Sequence, residues 1–401
     1  MANNASTGSV GPDPQPAPAR EFNPATVKYF RGDIFHPNSE VERDIGGLVL
    51  RRGAMTQAEI SRAINRPQQT VSRLVSRLVE RGMLRPGERV SSGKRGQLSV
   101  KIEIVPDYAY SFGISILWDA LAVTLMNFGG EVLGSRQCAM ATMSHDSVVA
   151  ELRRMIEELK AGCAFDSGRV FAAGVGIPGP FMHETGRVNT PLILEDWANI
   201  DLEETLAHDL ELPVWVENDG NAAAIGESLF GVGRRAGDFV YLYIDTGVGG
   251  GVIHNGRLVR GSFGNAGELG QVLPPQIYPH PNLKLLRELV CRGGGRIDSV
   301  SELIARFDPD WPGVDDWIAR SRDSLSLIAS AGAALLDPAA IVIGGRIPRA
   351  LIRKVIPHIE IYDQRRRSFE RPLPPIVAAE AGGESVSVGA AALPFSKYSF
   401  R

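Results

Sequence analysis

The spacing of apolar residues predicts a short helical segment near the N-terminus. Between residues 41 and 82, apolar side chains recur every three or four positions, which predicts three short helices. The third helix is expected to start at Pro67 and to end at Gly82, because proline is allowed in a first helical turn and glycine favours the position after a helix. Two alternating runs around the tip Ser-Gly-Lys-Arg-Gly follow and predict a β-hairpin.

The second of these helices has a defined start. Thr56 is followed three residues later by Glu59, which is the spacing of a capping box. Three helices followed by a hairpin form a winged helix-turn-helix, whose third helix enters the major groove of DNA. We therefore predict a winged helix-turn-helix DNA-binding domain over residues 41–104, preceded by a disordered Pro-rich tail and lead-in over residues 1–40.

The charge distribution supports a nucleic-acid role for this segment. Residues 41–101 contain 13 Lys and Arg against 5 Asp and Glu, a net charge of +8 in a chain whose total is −3, so the remainder carries −11. A solvated helical face would explain the charge alone, but not its coincidence with the helix pattern and the basic hairpin tip.

Particular residues of this segment are candidates for DNA contacts. Gln can pair with adenine and Arg with guanine, and the first turns of the third helix are rich in both. Arg77 lies further along the helix and is expected at a phosphate, whereas the hairpin tip could enter the minor groove. The predicted DNA-binding residues are Gln68, Gln69, Thr70, Ser72, Arg73, Arg77, Lys94 and Arg95.

The composition excludes several classes of protein. Apolar residues make up 44% of the chain and charged residues 22%, as in soluble globular proteins. The three cysteines are scattered without metal-binding spacing, and no uncharged apolar stretch reaches the ~18 residues of a membrane span. We therefore expect a cytoplasmic protein without a disulfide framework, a metal site or a membrane partner.

Strand-like apolar runs alternate with helical segments over the rest of the chain. Successive strands are predicted in YSFGISILW and ALAVTLMNF, and a second half repeats the pattern with DFVYLYIDTGVGGGVIH and AAIVIGGRIP. We predict an α/β fold over residues 105–401, with two actin-like lobes (ribonuclease H-like, duplicated) and a ligand cleft between them. The glycine-rich turn of the second half could hold a phosphate or simply permit a tight hairpin.

The stretch ENDGNAAA, residues 217–224, places an amide and a carboxylate side by side at the end of an apolar run. Asn218 and Asp219 together could hold two neighbouring hydroxyls of a polyol. From the residues alone, Asp219 has three possible roles: a catalytic base, a ligand contact or a helix cap.

Several stretches together resemble one protein family. The most specific is GVGGGVIHNGRLVRGSFGNAGELG at residues 247–270, which is similar to the signature of the ROK family of repressors, open reading frames and sugar kinases. The resemblance covers residues ~41–395, and a winged helix-turn-helix ahead of such a domain is the layout of the family's repressor branch. The further matching segments are GVGIPGP at 174–180, ENDGNAAA at 217–224, LLDPAAIVIGGRIP at 335–348 and SVGAAAL at 387–393.

The resemblance fails at the two turns that approach nucleotide phosphates in the family's sugar kinases. In GISILWDAL, Ser115 replaces the family's Asp, Leu117-Trp118 replace its glycines and Asp119 replaces its Thr. The second turn reads Asp245-Thr246-Gly247 instead of Gly-Thr-Gly. Bulky side chains block close backbone approach, and added carboxylates repel a triphosphate. These departures imply a protein that does not transfer phosphate.

A third departure follows Glu268. The family usually continues with a His and a cysteine-rich zinc loop, but Gln271 replaces the His and the next cysteine is Cys291. The resemblance therefore implies no zinc here. Lys284 aligns nearest to a ligand-binding Glu of the family, which suggests a ligand with an anionic group or with altered stereochemistry.

The resemblance nevertheless implies a sugar site made by Asn218, Asp219, Glu268, Thr190 and Gln271. Each has a structural alternative, such as a helix cap for Asp219 or a turn contact for Glu268. We expect a transcriptional repressor that needs no cofactor and binds operator DNA and a sugar or sugar-derivative effector. Because each winged unit reads one half-site, we expect a homodimer or homotetramer. The alternatives are an ATP-dependent sugar kinase with Asp219 as general base, and a regulator whose cleft binds a protein or nothing.

Overall fold

The computed structural model of the chain describes residues 38–91, 98–182, 187–363 and 371–400. The predicted N-terminal tail, apart from its last three residues, lies outside these ranges, and so do Lys94 and Arg95 at the hairpin tip. Among the residues that are described, no helix is both long and apolar enough to cross a membrane.

The N-terminal segment is a winged helix-turn-helix, as predicted. The β2–β3 hairpin is the wing, in a sheet of order β1-β3-β2. The capping box is present, because the Thr56 N–H donates to Glu59 Oε2 at 2.8 Å. The third helix begins one residue later than expected, with Pro67 as its N-cap. The elements are α1 (Glu40–Arg52), β1 (Met55–Thr56), α2 (Gln57–Ala63), α3 (Gln68–Glu80), β2 (Leu84–Ser91) and β3 (Leu98–Ile104).

The next segment forms an α/β unit, here named lobe 1. Its described sheet has the order β10-β7-β4-β5-β6, in which β4, β5 and β6 are antiparallel and β4, β7 and β10 are parallel. Helices α4 and α5 bury an apolar core with this sheet. The elements are β4 (Tyr110–Ile116), β5 (Ala120–Asn127), β6 (Val132–Ala139), α4 (His145–Gly162), β7 (Val170–Ile177), β8 (Phe181–Met182), β9 (Arg187–Val188), α5 (Leu202–Leu210), β10 (Val214–Asn218) and α6 (Asp219–Phe230).

A second unit, lobe 2, repeats this topology and confirms the predicted duplication. Its described sheet has the order β13-β12-β11-β14-β15, again an antiparallel meander beside parallel strands. The glycine-rich turn between β11 and β12 is a tight hairpin, in which the Asp245 N–H donates to the Gly247 carbonyl at 3.0 Å. The elements are β11 (Phe239–Ile244), β12 (Val248–His254), β13 (Arg257–Val259), α7 (Leu283–Arg292), α8 (Val300–Ala305), α9 (Val314–Leu336), β14 (Ala340–Gly345), α10 (Arg349–Val355), β15 (Ile376–Ala378) and α11 (Ser385–Tyr398).

Helices α6 and α11 pack against each other and connect the two lobes. Helix α11 lies on β4 and β7 of lobe 1, whereas α6 lies on β12 of lobe 2. The helices approach closely because Gly389 faces α6, where a Cβ would lie 1.8 Å from the Ala222 carbonyl oxygen. A movement of one lobe relative to the other must therefore involve this helix pair.

The winged helix-turn-helix shares one apolar core with the lobes. Ile45 of α1, Leu229 of α6 and Phe128 after β5 belong to the same buried cluster, together with Phe400 after α11. The predicted domain boundary between residues 104 and 105 lies directly after β3. Burial of apolar surface holds the winged helix-turn-helix against α6 and α11, so a displacement of these helices can also move the winged helix-turn-helix.

Candidate functional site

Asn218 and Asp219 lie at the junction of β10 and α6. Asn218 is the N-cap of α6, since its Oδ1 accepts a hydrogen bond from the Asn221 N–H at 3.2 Å. Its Nδ2 donates to the Gly179 carbonyl at 3.2 Å. Asn218 therefore provides the cap that the sequence had offered as an alternative role for Asp219. Asp219 is the first residue of the helix, and its Oδ1 accepts from the Gly220 N–H at 2.9 Å.

Asp219 lies in a crowded acidic environment. Burial, together with smaller effects of the nearby carboxylates of Asp245 and Glu268, raises its pKa to about 7 against the opposing effect of the Gly220 hydrogen bond. Burial also raises the pKa of Glu268. The structure thus brings Asp219 and Glu268 together where the lobes meet, with Asp245 beside them.

The glycines of β12 permit this close arrangement. A Cβ at Gly220 would lie 2.8 Å from the backbone nitrogen of Gly250, so the first turn of α6 rests directly on β12. Gly267 has a φ of 102°, and a Cβ at this position would lie 2.9 Å from the Gly250 carbonyl oxygen. Gly220, which follows Asp219, and Gly267, which precedes Glu268, therefore both pack on Gly250 of β12, and a Cβ at either position would collide with its backbone.

Two contacts fasten the loop before Glu268 to lobe 1. Arg260 Nη2 lies 2.5 Å from Glu217 Oε2, and Glu217 is fully buried. Asn265 accepts the Phe181 N–H at 2.7 Å and donates to the Phe181 carbonyl at 2.9 Å. Sequence reasoning missed these residues, although a Glu at the end of an apolar strand is a signal that a buried cation partner is required.

The Glu217–Arg260 pair is electrostatically well matched. Burial alone would raise the pKa of Glu217, but the Arg260 guanidinium lowers it below its ordinary value. Glu217 Oε1 also accepts from the Asn218 N–H and from Asn221 Nδ2, both at 3.1 Å. One buried carboxylate thus positions the lobe 2 loop and the start of α6 at the same time.

Thr190 and Gln271 differ in burial: Thr190 is buried, whereas Gln271 is exposed. Thr190 is buried, its hydroxyl donates to the Leu194 carbonyl at 2.6 Å, and its Cα lies 3.1 Å from where a Cβ of Gly179 would stand. Thr190 is therefore adjacent to the residue that Asn218 binds. Gln271 has an exposed side chain, and its N–H donates to the Glu268 carbonyl at 3.1 Å. Ligand roles for both residues stay predictions.

The β4–β5 and β11–β12 turns are joined by a buried arginine. Arg346 Nη1 lies 2.9 Å from Asp119 Oδ1 and 3.4 Å from Asp245 Oδ1. Its Nη2 donates to Ser301 Oγ at 2.7 Å, and the Ser301 hydroxyl and N–H both donate to Asp119 Oδ2. The two carboxylates that we expected to repel a phosphate thus share one cation within the protein.

One acid of this cluster, Asp245, has a raised pKa. Burial raises the pKa of Asp245 to about 6, although Arg346 lowers it. The side chain of Arg346 is only 4% exposed. Burial lowers the pKa of Arg346, but Asp245 and Asp119 outweigh that effect and leave it raised, so the guanidinium is charged. The arrangement is a cation between two acids from different lobes.

Lys284 contacts an aromatic ring. Its Nζ lies 3.8 Å from the centroid of the Trp118 ring, a cation–π contact that joins α7 to the β4–β5 turn. The selection of an anionic sugar by Lys284 stays a prediction. Within the described ranges, no group of three or more His, Cys, Asp or Glu is arranged to hold a metal ion.

The side chains of the predicted DNA-binding face differ in their exposure to solvent. Gln68, Gln69 and Arg73 are exposed on α3, and Thr70 and Ser72 are half-buried. Arg77 Nη2 lies 2.9 Å from Oε1 of the buried Glu42, so it holds α3 against α1. A phosphate contact by Arg77 would have to coexist with this ion pair, and it stays a prediction like the other contacts.

Comparisons with known proteins agree with this architecture. A family model described as the ROK family matches residues 112–294, and one described as the MarR family matches residues 47–96. Uncharacterized protein y4fQ of Sinorhizobium fredii is 26% identical over 365 residues, which is 90% of this chain and 91% of that protein. The xylose repressor of Caldicellulosiruptor bescii is 29% identical over 224 residues, 55% of each chain.

A solved structure shares the whole fold. The crystal structure of a ROK family transcriptional regulator, described as a homolog of the E. coli MLC protein, superposes with a TM-score of 0.60 at 20% identity. The superposition covers 90% of this chain and 97% of that one. The chain therefore spans nearly all of this regulator and of the Sinorhizobium protein, but just over half the length of the xylose repressor that it matches.

Proposed function

We infer that this chain, a member of the ROK family with a MarR-type winged helix ahead of its ROK domain, is a sugar-responsive transcriptional repressor. The observation that carries this inference is the core shared by the winged helix-turn-helix and helices α6 and α11. Such a core couples a DNA-reading surface to the helix pair that connects the lobes. A ligand between the lobes can then alter the presentation of α3 to DNA.

The effector is a sugar or sugar derivative bound beside Asp219. Asn218, Asp219 and Glu268 offer hydroxyl-binding groups at the lobe junction, with Thr190 next to Gly179 and Gln271 next to Glu268. Ionised carboxylates are strong acceptors for sugar hydroxyls. The ligand changes operator affinity only to the extent that it binds the DNA-competent and DNA-incompetent states with different affinity.

The ion cluster at Arg346 argues against phosphoryl transfer. The turns that approach nucleotide phosphates in the family's kinases correspond here to residues 117–119 and 245–247. Arg346 bridges acids of both turns, so a triphosphate would have to displace a buried cation from two carboxylates. Phosphoryl transfer depends on positioning and neutralising the γ-phosphate, and neither is favoured in this arrangement.

One observation favours a second candidate function, an ATP-dependent sugar kinase. The pKa of Asp219 near 7 suits a general base that takes a proton from a sugar hydroxyl at neutral pH. Measurement of ADP release with ATP and a sugar panel decides between the two. Sugar-dependent ADP release that Asp219→Asn abolishes would establish the kinase.

The repressor is tested by DNA selection followed by ligand release. Duplexes that the full chain binds are selected from a random pool, and their affinity is then measured by fluorescence anisotropy with each sugar of a broad panel. We expect a two-fold-related consensus and at least one sugar that changes the affinity. A selected pool without any consensus would contradict DNA recognition, and no response to any sugar would contradict a sugar effector.

We also propose that the protein acts as a homodimer or homotetramer. Each winged unit reads one half-site, so a two-fold operator requires two chains. Light scattering of the full chain, alone and with a selected duplex, measures the number of chains. A monomer in both conditions would contradict this proposal.

A further inference from the structure

Three polar groups lie close together where the lobes meet, and we name them the cleft cluster: Tyr243 of β11, Asp245 directly after this strand, and Asp219 at the start of α6. Burial, together with smaller effects of the charges of Asp245, Asp219 and Glu384, raises the pKa of Tyr243 well above its ordinary value against the opposing effect of Arg346. The charge of Asp245 also acts on Asp219. The carboxylate of Glu384 is bound to N–H groups that begin α11. Because a charge shifts a pKa mainly within ~4–6 Å, the members of the cleft cluster are neighbours.

Two members of the cleft cluster have buried polar atoms without a partner. Tyr243 is 2% exposed, and its hydroxyl has no hydrogen-bond partner among the described residues. Asp245 is 1% exposed; its Oδ1 faces Arg346, whereas its Oδ2 has no partner within the same ranges. Such atoms are rare in native proteins, because burial removes their hydrogen bonds to water. Two of them side by side indicate that a polar group from outside the chain completes this site.

A glycine beside Tyr243 leaves room for such a group. Gly249 of β12 is the register partner of Tyr243, and side chains at paired positions project from the same face of a sheet. A Cβ at Gly251, on this face too, would lie 2.6 Å from Ala224 Cβ of α6. A Cβ at Gly249 would have no described atom within 4 Å apart from its chain neighbours. The face is therefore covered by α6 at Gly251 and open at Gly249, beside the first turn of α6.

The cleft cluster and its neighbour Glu268 carry more acid than the nearby cation offsets. Arg346 Nη1 lies 3.4 Å from Asp245 but 2.9 Å from Asp119, so one positive charge serves two acids. The pKa values of Asp219 and Glu268 are raised mainly by burial, as expected for carboxylates that are buried without a compensating cation. A positively charged ligand group would therefore be favoured here over a neutral or a negative one.

We propose that the effector of the sugar site is an amino sugar in its ammonium form, whose nitrogen binds among Asp219, Asp245 and the Tyr243 hydroxyl. This proposal rests on the proposed function and names the class of effector. An ammonium group has three N–H donors, and the two carboxylates and the hydroxyl supply acceptors for them. A cation differs from the anionic group that the alignment of Lys284 suggested, and Lys284 Nζ itself contacts the Trp118 ring.

Isothermal titration calorimetry of the full chain at neutral pH tests the proposal. The probes are monoamino derivatives of common hexoses and pentoses, each compared with its parent sugar and its neutral N-acetyl derivative. We expect at least one amino sugar to bind about tenfold tighter than both comparators, because only the amine brings a positive charge to the cleft cluster. Binding of parent sugars without a preference for any amine would overturn this proposal and leave the sugar-responsive repressor intact. No binding of any sugar or amino sugar would contradict the sugar effector itself.

Two variants test the contacts of the amine. Asp245→Asn should lower the preference for the amino sugar over its parent by about tenfold, because it removes one charge from the cleft cluster. Asp323→Asn is the matched control, since it removes the same charge from an exposed ion pair on α9. Tyr243→Phe should lower the preference without lowering the melting temperature, because the lost hydroxyl has no partner within the described chain. An unchanged preference in both variants, each shown by circular dichroism to be folded, would overturn the proposal.

Gly249→Val tests the position of the ligand. The open space around a Cβ at Gly249 allows the larger side chain, so the variant should fold as wild type does. The added methyl groups would occupy the space beside Tyr243, and we expect amino-sugar binding to weaken by more than about tenfold. Undiminished amino-sugar binding by the folded variant would show that the ligand does not lie beside Tyr243 and would overturn the proposal.

Discussion

Arg346, which follows β14 in lobe 2, is buried and forms an ion pair with the partly exposed Asp119 in the β4–β5 turn of lobe 1, with Nη1 and Oδ1 2.9 Å apart. The pair crosses the junction between the lobes. The same guanidinium also faces Asp245 at 3.4 Å, and Ser301 completes the network through Asp119. A charge network of this kind holds two lobes in one relative position, because each separated member would leave an unpaired buried charge.

Replacing Arg346 should therefore destabilise the protein. We expect Arg346→Met to lower the free energy of unfolding by about 3 kcal/mol, since it leaves Asp245 buried without its cation. The loss should be larger at pH 8 than at pH 5, because at the lower pH Asp245 can take up a proton. Urea denaturation at both pH values measures the effect.

The control for Arg346→Met is Arg235→Met, which breaks the exposed ion pair between Arg235 and Glu380. Exposed pairs contribute ~0–1 kcal/mol, so this variant should lose little. Adding Asp245→Asn to Arg346→Met should recover part of the stability. A loss of equal size in the two single variants would contradict a special role for the Arg346 network.

Asp219 should make the protein less stable as the pH rises. Its pKa of about 7 in the folded chain lies above the ~3.9 of an unfolded aspartate. Between these values the folded state keeps a proton that the unfolded state has released, so the free energy of unfolding falls with increasing pH. The Asp219→Asn variant lacks this ionisable group. Its free energy of unfolding should therefore fall by on the order of 2 kcal/mol less over this pH range than that of the wild type.

Denaturant titrations of wild type and Asp219→Asn at about pH 4.5, 6 and 8 measure this difference. The two proteins should differ least at the lowest pH, and the variant should be the more stable one at the highest. Its profile should be flatter but not flat, because Asp245 contributes in the same direction. Parallel profiles would show that Asp219 ionises in the folded state as it does in the unfolded chain.

The local elements and the repeat of the fold were predictable from sequence, whereas the charge network was not. The spacing of apolar residues and the capping residues predict helices because both patterns involve only a few consecutive residues, as the Thr56–Glu59 capping box shows. Arg346 and Asp119 are 227 positions apart, so their contact depends on how the two lobes face each other. Two added acids at two turns were a signal that a cation would be required nearby.

The sequence suggested the central residues of the proposed sugar site, but it did not indicate the contacts that support them. Asn218, Asp219 and Glu268 were identified from their resemblance to a family pattern. Asn265 and Arg260 lie in the same matched stretch, yet their partners are a main-chain segment and a buried acid of the other lobe. Such supporting contacts follow from the packing of the lobes, which no local pattern records.

Asn265 should control sugar affinity through the loop that carries Glu268. Both polar atoms of its side chain bind the main chain of Phe181 across the lobes. We expect Asn265→Ala to weaken binding of an effector sugar by about tenfold, because the loop loses two hydrogen bonds of ~0.5–1.5 kcal/mol each. Calorimetric titration with the tightest sugar of the panel measures the change. This prediction depends on the proposed sugar site.

Asn189→Ala is the control for Asn265→Ala, because Asn189 is an exposed asparagine next to Thr190 on lobe 1. It should bind the sugar as wild type does. If Asn265→Ala retained full sugar affinity while its melting temperature fell, the cross-lobe contact would support the fold without shaping the sugar site.

Arg73 and Arg77 of α3 should have different roles. We expect Arg73 to read a base and Arg77 to stabilise the fold. Arg73 is exposed, whereas Arg77 forms an ion pair with the buried Glu42 at 2.9 Å. We expect Arg73→Ala to leave stability unchanged and to lose ~1–3 kcal/mol of discrimination at one base pair of the selected duplex. Arg77→Ala should mainly lower the free energy of unfolding, because it leaves Glu42 without its cation.

Fluorescence anisotropy with the selected duplex and its single-base variants, at two salt concentrations, measures both effects beside urea denaturation. Loss of a phosphate contact would lower the salt dependence of binding without changing base preference. An Arg77→Ala protein of full stability but reduced salt dependence would show that Arg77 serves DNA rather than α1. An Arg73→Ala protein with intact affinity and base preference would show that α3 does not read bases through this residue.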